Sequence, residues 1–575
     1  MRRRHFLGGL LAVGATAGGL CGLHWLRKRD PERAILDELK TYSPLPVMAC
    51  DDYLLLKCFF DTEFEVRIVS RSNGKIIASM RSPDSQLALG FSADGKLISY
   101  LSCRGGDRRF QPYIFDISKN STFALNAPHT GSAARPIRWA APGRHLAYCR
   151  VAKQTDLVVV DLAIPEGAAH VALNDMATNA DFCWSPDGSM VATARRGNEG
   201  AIWLGGKDGT NFGLLPVAQG GEVREVEWSP DGKSILSTAR RRGGEYTELF
   251  EVDIESGAVA RRLSLDGDIS DPHFVSSGSR LLFQLNTKGH LRLISSARDG
   301  TDRLSFATFT GKPIVRGFSR SGEFVYIVNV GLHSPPILYE ARIDGTLSSE
   351  LYATPEHTSS VVADRVQIIA KDGIRVPGYI WSGQSKLGVL VLVHGGPLQQ
   401  ELPVWDAHTQ MAVRAGYVVI AVNYRGSTGY GASYESTSGD PVLDILAARD
   451  LAVTKLGISP RNVFFQGISY GTLLAAEAAA REPDMCGGAV LLSLVRPLGP
   501  SPPLRRPPRK LAAFHGANDN LLPPELTHGV LEHFFGKKAL MPPDRTLTIL
   551  DDEGHHFHKL QSWARVGAAI AELLE

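Results

Sequence analysis

The chain has 575 residues, a formal net charge of +2, 43% hydrophobic and 21% charged residues. That length exceeds what one hydrophobic core supports, so two or more domains are expected, and so small a net charge excludes the strong field of a nucleic-acid binder. The cysteines beyond the first segment (Cys50, Cys58, Cys103, Cys149, Cys183 and Cys486) form no C-x-x-C pair, which leaves a zinc or dithiol redox site without support.

The first 29 residues read as a targeting segment. Arg3-Arg4-His5-Phe6-Leu7 has a twin-arginine pattern, an apolar Gly/Ala-rich stretch runs from Phe6 to Leu26, and Arg27-Lys28-Arg29 closes it. Such signals are read by a bacterial export receptor, so twin-arginine export machinery is the expected partner. Cleavage at Ala15-Thr16-Ala17 would leave a periplasmic protein. Retention of residues 6–26 as an anchor would hold it at the inner membrane, facing the periplasm. Without this segment, 56 basic residues stand against 60 acidic ones.

From about residue 45 to 355 the chain repeats. The unit is an aromatic residue, a short turn ending in glycine, and an alternating apolar strand. It occurs at Phe91–Gly95, Trp139–Gly143, Trp184–Gly188, Trp228–Gly232, Phe274–Gly278 and Phe318–Gly322, with the glycines 48, 45, 44, 46 and 44 residues apart. That period is one four-stranded propeller blade of the WD40 kind. A degenerate first copy at Met48–Asp52 brings the expected count to seven blades. The aromatics are read as blade-packing residues, and Arg240-Arg241-Arg242 as a solvated loop.

After Asp364 strands and helices alternate, the pattern of an α/β sheet through residue 575. Leu387–Val393 is an all-apolar buried strand, and a second strand ends at Val422. A helix is expected over Leu443–Lys455, strands over Gly488–Leu494, Leu511–His515 and Arg545–Leu550, and a closing helix over Leu560–Leu574.

Within this half, Gly467-Ile468-Ser469-Tyr470-Gly471 joins the strand Asn462–Phe465 to a helix Thr472–Arg481, the setting of a nucleophile elbow. A serine hydroxyl needs a base, and the base needs an orienting carboxylate. In α/β-hydrolases the chain order is Ser, Asp or Glu, then His. Here Asp519 and His555 follow Ser469, each just after an expected strand. His556 and His558 compete with His555, but Gly554 and the position directly after the strand favour His555. A metal site built from the three histidines has no carboxylate or thiol cluster of ligand spacing beside it, so neither metal nor cofactor is expected. His394-Gly395-Gly396-Pro397 follows the early strand, where the second half of an oxyanion hole belongs.

These residues, with Asn423-Tyr424-Arg425-Gly426-Ser427-Thr428-Gly429-Tyr430-Gly431 and Gly439-Asp440-Pro441, resemble the prolyl oligopeptidase family of serine peptidases, in particular its acylaminoacyl-peptidase branch, over roughly residues 45–575. The resemblance implies a seven-bladed propeller that restricts access to an α/β-hydrolase site. It implies a triad of Ser469, Asp519 and His555, with Gly396 and Tyr470 supplying the oxyanion N–H groups. It also implies a short or N-acylated peptide as substrate. Three departures stand out. Only 50 residues separate Ser469 from Asp519, the proline-rich run Arg496–Pro508 replaces the family's helical excursion, and Leu521 stands where prolyl oligopeptidases carry Arg. In addition, Thr472-Leu473 replaces a frequent Gly-Tyr, and the paired propeller glutamates of dipeptidyl peptidases are not found. The expectation is therefore a serine peptidase with an altered specificity pocket. An esterase on the same scaffold and a non-catalytic propeller binding protein are the alternatives.

Overall fold

A computed structural model describes residues 30–574, apart from 61–62, 83–85, 104–108, 132–136, 142, 153, 164–167, 175, 177–180, 195–199, 219–220, 356–359 and 498–505. The twin-arginine segment, with the stretch Phe6–Leu26, lies outside the described residues, as do Pro142 of the second repeat and the middle of the proline-rich run.

Seven four-stranded antiparallel sheets follow one another from Leu45 to Ala353, each built from one contiguous stretch of chain. The repeat is a turn between the first and second strands of a blade, and its residues explain the turn. In Trp228–Gly232 the Ser229 hydroxyl donates to Asp231 Oδ1 at 2.6 Å, and Ser229 Oγ accepts the Ser234 N–H at 2.9 Å. Asp231 Oδ1 also accepts the Lys233 N–H at 3.0 Å, and Gly232 takes the left-handed φ of 73° that glycine tolerates. Ser185 and Asp187 repeat the contact at 2.6 Å, Ser92 and Asp94 at 2.7 Å. The ring closes through side chains rather than a shared sheet. Arg71 of the first blade donates to Tyr326 Oη at 2.7 Å and pairs with Glu340 at 2.6 Å, both on the seventh. Ala49, Leu54 and Leu56 pack there against Tyr326, Val328 and Leu338.

The remaining chain forms one eight-stranded sheet. Its order is Asp364–Ile369, Arg375–Trp381, Tyr417–Val422, Gly388–Val393, Val463–Ile468, Gly488–Leu492, Lys510–Gly516, Arg545–Leu550. The first two strands are antiparallel to their neighbours, and the other six run parallel. The apolar runs bury both faces, with alternate residues in two cores. Val389, Val391, Val418, Ile420, Phe465 and Leu491 face the helices Val442–Leu456 and Tyr470–Arg481. Leu390, Val419, Phe464, Val490 and Phe514 face Ala407–Arg414 and Leu560–Leu574.

Two features differ from the sequence reading. A helix over Pro31–Lys40, ahead of the propeller, returns to the hydrolase half: Ile35, Leu36 and Leu39 join the core containing Trp563 and Ala564, and Glu32 pairs with Arg565 at 3.1 Å. Arg240 is not part of a solvated loop. It ends the strand Ser234–Arg240 and is largely buried between Asp268 of the next blade and Glu435, which reaches it from across the domain boundary. Arg241 and Arg242 remain exposed.

Candidate active site

The strand Val463–Ile468 runs straight into the helix Tyr470–Arg481, and Ser469 is the only residue between them. Its φ of 53° and ψ of −123° are the strained geometry that turns a strand into a helix in one step and lifts Oγ above the sheet. The flanking glycines are obligatory. A Cβ on Gly467 would meet Gly471 C at 2.6 Å and Thr472 Cα at 2.8 Å, and one on Gly471 would collide with the carbonyl oxygens of Val393 and His394.

Three strand ends then converge. Ser469 Oγ lies 2.8 Å from His555 Nε2, and His555 Nδ1–H donates to Asp519 Oδ2 at 2.7 Å. Asp519 follows Lys510–Gly516, and His555 follows Arg545–Leu550. Asp519 Oδ1 accepts the Leu521 N–H at 2.8 Å. Burial pushes the Asp519 carboxyl up, but the hydrogen bond and charge of His555, together with His515 and the Leu521 N–H, outweigh it and hold it below the usual carboxylate range. Asp519 and His555 are buried, while Ser469 keeps partial exposure, as an attacking atom must.

The loop after Gly388–Val393 lies beside the elbow. A Cβ on Gly395 would sit 3.2 Å from Ser469 Cβ, so the Gly395–Gly396 peptide runs next to the candidate nucleophile. Gly396 has φ +134° and is exposed. The Tyr470 N–H is the first of its helix and has no acceptor one turn back. The Gly395–Gly396 peptide and the first turn of the helix from Tyr470 thus both adjoin Ser469.

The structure therefore brings Ser469, Asp519, His555, Gly396 and Tyr470 together. His556 is exposed beside His555, and the His558 ring faces Glu553 Oε2 at 3.5 Å. Among the described residues no group of three His, Cys, Asp or Glu could hold a metal ion. Leu521 is half-exposed near Asp519, and the middle of the proline-rich run is outside the described residues. The sequence reading assigned nothing to His515, whose ring is fully buried and whose Nε2–H donates to Leu522 O at 2.8 Å, bracing the turn that presents Asp519. Its place four residues before Asp519, at the end of an apolar strand, was the available signal.

The propeller lies against the loops that carry this site. The Trp405 N–H donates to Gly331 O at 2.7 Å, and Ser433 Oγ donates to Glu245 Oε1 at 2.6 Å. Fold and site together define an α/β-hydrolase of the serine type with a propeller seated over it. Residues 403–493 match the family model for the prolyl oligopeptidase family (Peptidase_S9). The chain is 25% identical over 432 residues to dipeptidyl aminopeptidase BIII of Pseudoxanthomonas mexicana, covering 68% of this chain and 60% of that protein. It is 30% identical over 262 residues to the acylamino-acid-releasing enzyme of Mus musculus, covering 45% of this chain and 32% of that one. The matched region thus spans less than two thirds of these relatives. A puromycin-hydrolyzing peptidase of Mycobacterium tuberculosis shares the fold, with TM-score 0.72 at 16% identity over 97% of this chain and 96% of that one.

Proposed function

We propose that the protein is a serine peptidase that cleaves short or N-acylated peptides through an acyl-enzyme on Ser469. The observation that carries this reading is the unbroken hydrogen-bond chain from Ser469 Oγ through both nitrogens of His555 to Asp519. Ser469 Oγ attacks the scissile carbonyl carbon while its proton passes to His555 Nε2. The carbonyl oxygen becomes an oxyanion facing the N–H groups of Gly396 and Tyr470. His555 then gives the proton to the departing amine, and the acyl group stays on Ser469. Water, deprotonated by His555, attacks the ester and frees the acid and the serine. Asp519 keeps the proton on Nδ1, so that Nε2 is the basic nitrogen.

A propeller seated on the site loops supports a preference for short substrates over folded proteins. Dipeptidyl aminopeptidase BIII and the acylamino-acid-releasing enzyme, by their names, act at peptide N-termini. Purified protein and its Ser469→Ala variant, assayed on acyl-amino-acid anilides, dipeptide anilides and short-chain esters, test the proposal. Anilide turnover that vanishes in the variant is expected, and turnover of esters alone would make the protein an esterase. Export by the twin-arginine route is proposed on Arg3-Arg4-His5-Phe6-Leu7. N-terminal sequencing of protein recovered from the periplasm and the membrane would separate a cleaved signal from an anchor.

A further inference from the structure

His394 is a buried histidine outside the triad, and its contacts converge on one peptide group. Its Nδ1 lies 2.7 Å from Gly395 O, and its Nε2 lies 2.9 Å from Ser427 Oγ. The imidazole stacks on the Tyr424 ring at 4.3 Å between centroids, with 19° between planes. Tyr424 Oη–H reaches His394 O at 3.2 Å and Gly395 O at 3.3 Å. All three side chains are buried. Gly395 O belongs to the same peptide unit as the Gly396 N–H. In a trans peptide the two point in opposite directions, so whatever holds the oxygen aims the hydrogen.

Gly395 O has no proton to give, so the 2.7 Å contact places the proton on His394 Nδ1. Burial pushes this imidazole down to about 4, against the Gly395 hydrogen bond that raises it, so the ring is neutral and Nε2 is an acceptor. The Ser427 hydroxyl is the donor that faces it. The same hydroxyl also faces Tyr424 O at 2.6 Å, a carbonyl that accepts the Ser427 N–H at 3.0 Å as well.

We infer that His394 is a positioning residue for the oxyanion hole: with Tyr424 it grips Gly395 O from behind and fixes the direction in which the Gly396 N–H meets the developing charge. The inference rests on the serine-hydrolase reading of Ser469. A hydrogen bond to the oxygen of a peptide also polarises its N–H, so the grip both aims and strengthens the donor.

The test exploits the two ring nitrogens. The amide nitrogen of Asn occupies the place of Nδ1, and that of Gln the place of Nε2. His394→Asn keeps the donor to Gly395 O, while His394→Gln and His394→Leu lose it. On whichever anilide or ester the wild-type protein turns over, Gln and Leu should lower kcat by about 10- to 100-fold with KM unchanged, and Asn should stay within about threefold of wild type. Tyr424→Phe keeps the stacked ring and loses the hydroxyl, and should lower kcat several-fold with an unchanged melting temperature. Equal losses in Asn and Gln, losses that track a lowered melting temperature, or no loss in any variant would overturn the positioning role. A wild-type protein that turns over no substrate and reacts with no fluorophosphonate would overturn the serine-hydrolase reading and, with it, this inference.

Discussion

Arg240 and Glu435 meet across the boundary between propeller and hydrolase, with Nη1–Oε2 at 2.6 Å and Nη2–Oε1 at 3.0 Å, both side chains 12% exposed. The same guanidinium reaches Asp268 at 3.2 Å, and nearby Glu245 accepts from Ser433. This clamp grips the segment that runs on from Asn423 and Tyr424, which brace the site loop from below. Arg240→Ala leaves two carboxylates without their cation in a largely buried place, at a cost of about 3 kcal/mol. The expected result is a lower melting temperature and faster amide exchange at Thr247 and Ser433, whose N–H groups bond to Asp268 and Glu245. Unchanged exchange at both would show that the clamp does not hold the domains together.

Asp519→Asn preserves the shape of the triad and removes its charge. The amide can donate to His555 Nδ1 and drive the proton to Nε2, the nitrogen that must be bare to accept from Ser469. A loss of about 10⁴ in kcat with little change in folding is expected, measured as steady-state kinetics beside a thermal melt.

Glu553 is fully buried just before His555, and its carboxylate accepts the N–H groups of His558 at 2.9 Å and Lys559 at 2.8 Å. Burial, only partly offset by these bonds, raises it from 4.5 to about 7. The folded protein therefore holds this proton in a range where the unfolded chain has lost it. Stability should fall as pH rises from about 4.5 to about 7 and level off above. Glu553→Gln should flatten that slope in denaturation curves taken across this range. An unaltered slope would mean that Glu553 is ionised throughout.

Two glycines should respond differently to alanine. Gly457 ends the helix Val442–Leu456 at φ +70° with nothing within 4 Å of a new Cβ, so Gly457→Ala should cost only the left-handed strain, about 1–2 kcal/mol, and leave turnover intact. Gly471 has no positive φ, yet its Cβ would collide with Val393 O and lie 2.6 Å from His394 O, where the strand Gly388–Val393 passes into the Gly395–Gly396 loop. Gly471→Ala should displace that loop and abolish turnover. Comparable activity in the two variants would contradict the tight packing of elbow against loop.

What the sequence made legible was chemistry that is local in the chain. The Ser-Pro-Asp-Gly turns announce themselves because Ser229 and Asp231 bond within five residues. The parallel strands do so because both faces of Gly388–Val393 and its neighbours are buried. The elbow was readable from its two steric glycines. Features set by distant partners were not readable. Arg240 looked like one of three surface arginines, since nothing near it in sequence signals Glu435. The helix Pro31–Lys40 could not be assigned to the hydrolase half, because its apolar face fits the C-terminal helix more than 500 residues away. His394 was readable as part of a turn, but its grip on Gly395 depends on Tyr424 and Ser427, which arrive from another strand end.

The central claim is that Ser469 is a nucleophile activated by His555. The direct measurement is reaction of the folded protein with a fluorophosphonate, followed by intact mass and peptide mapping. One adduct per chain on Ser469 is expected, with none in Ser469→Ala and a greatly slowed reaction in His555→Ala. A folded wild-type protein that takes up no probe, or takes it up on another residue, would contradict the account.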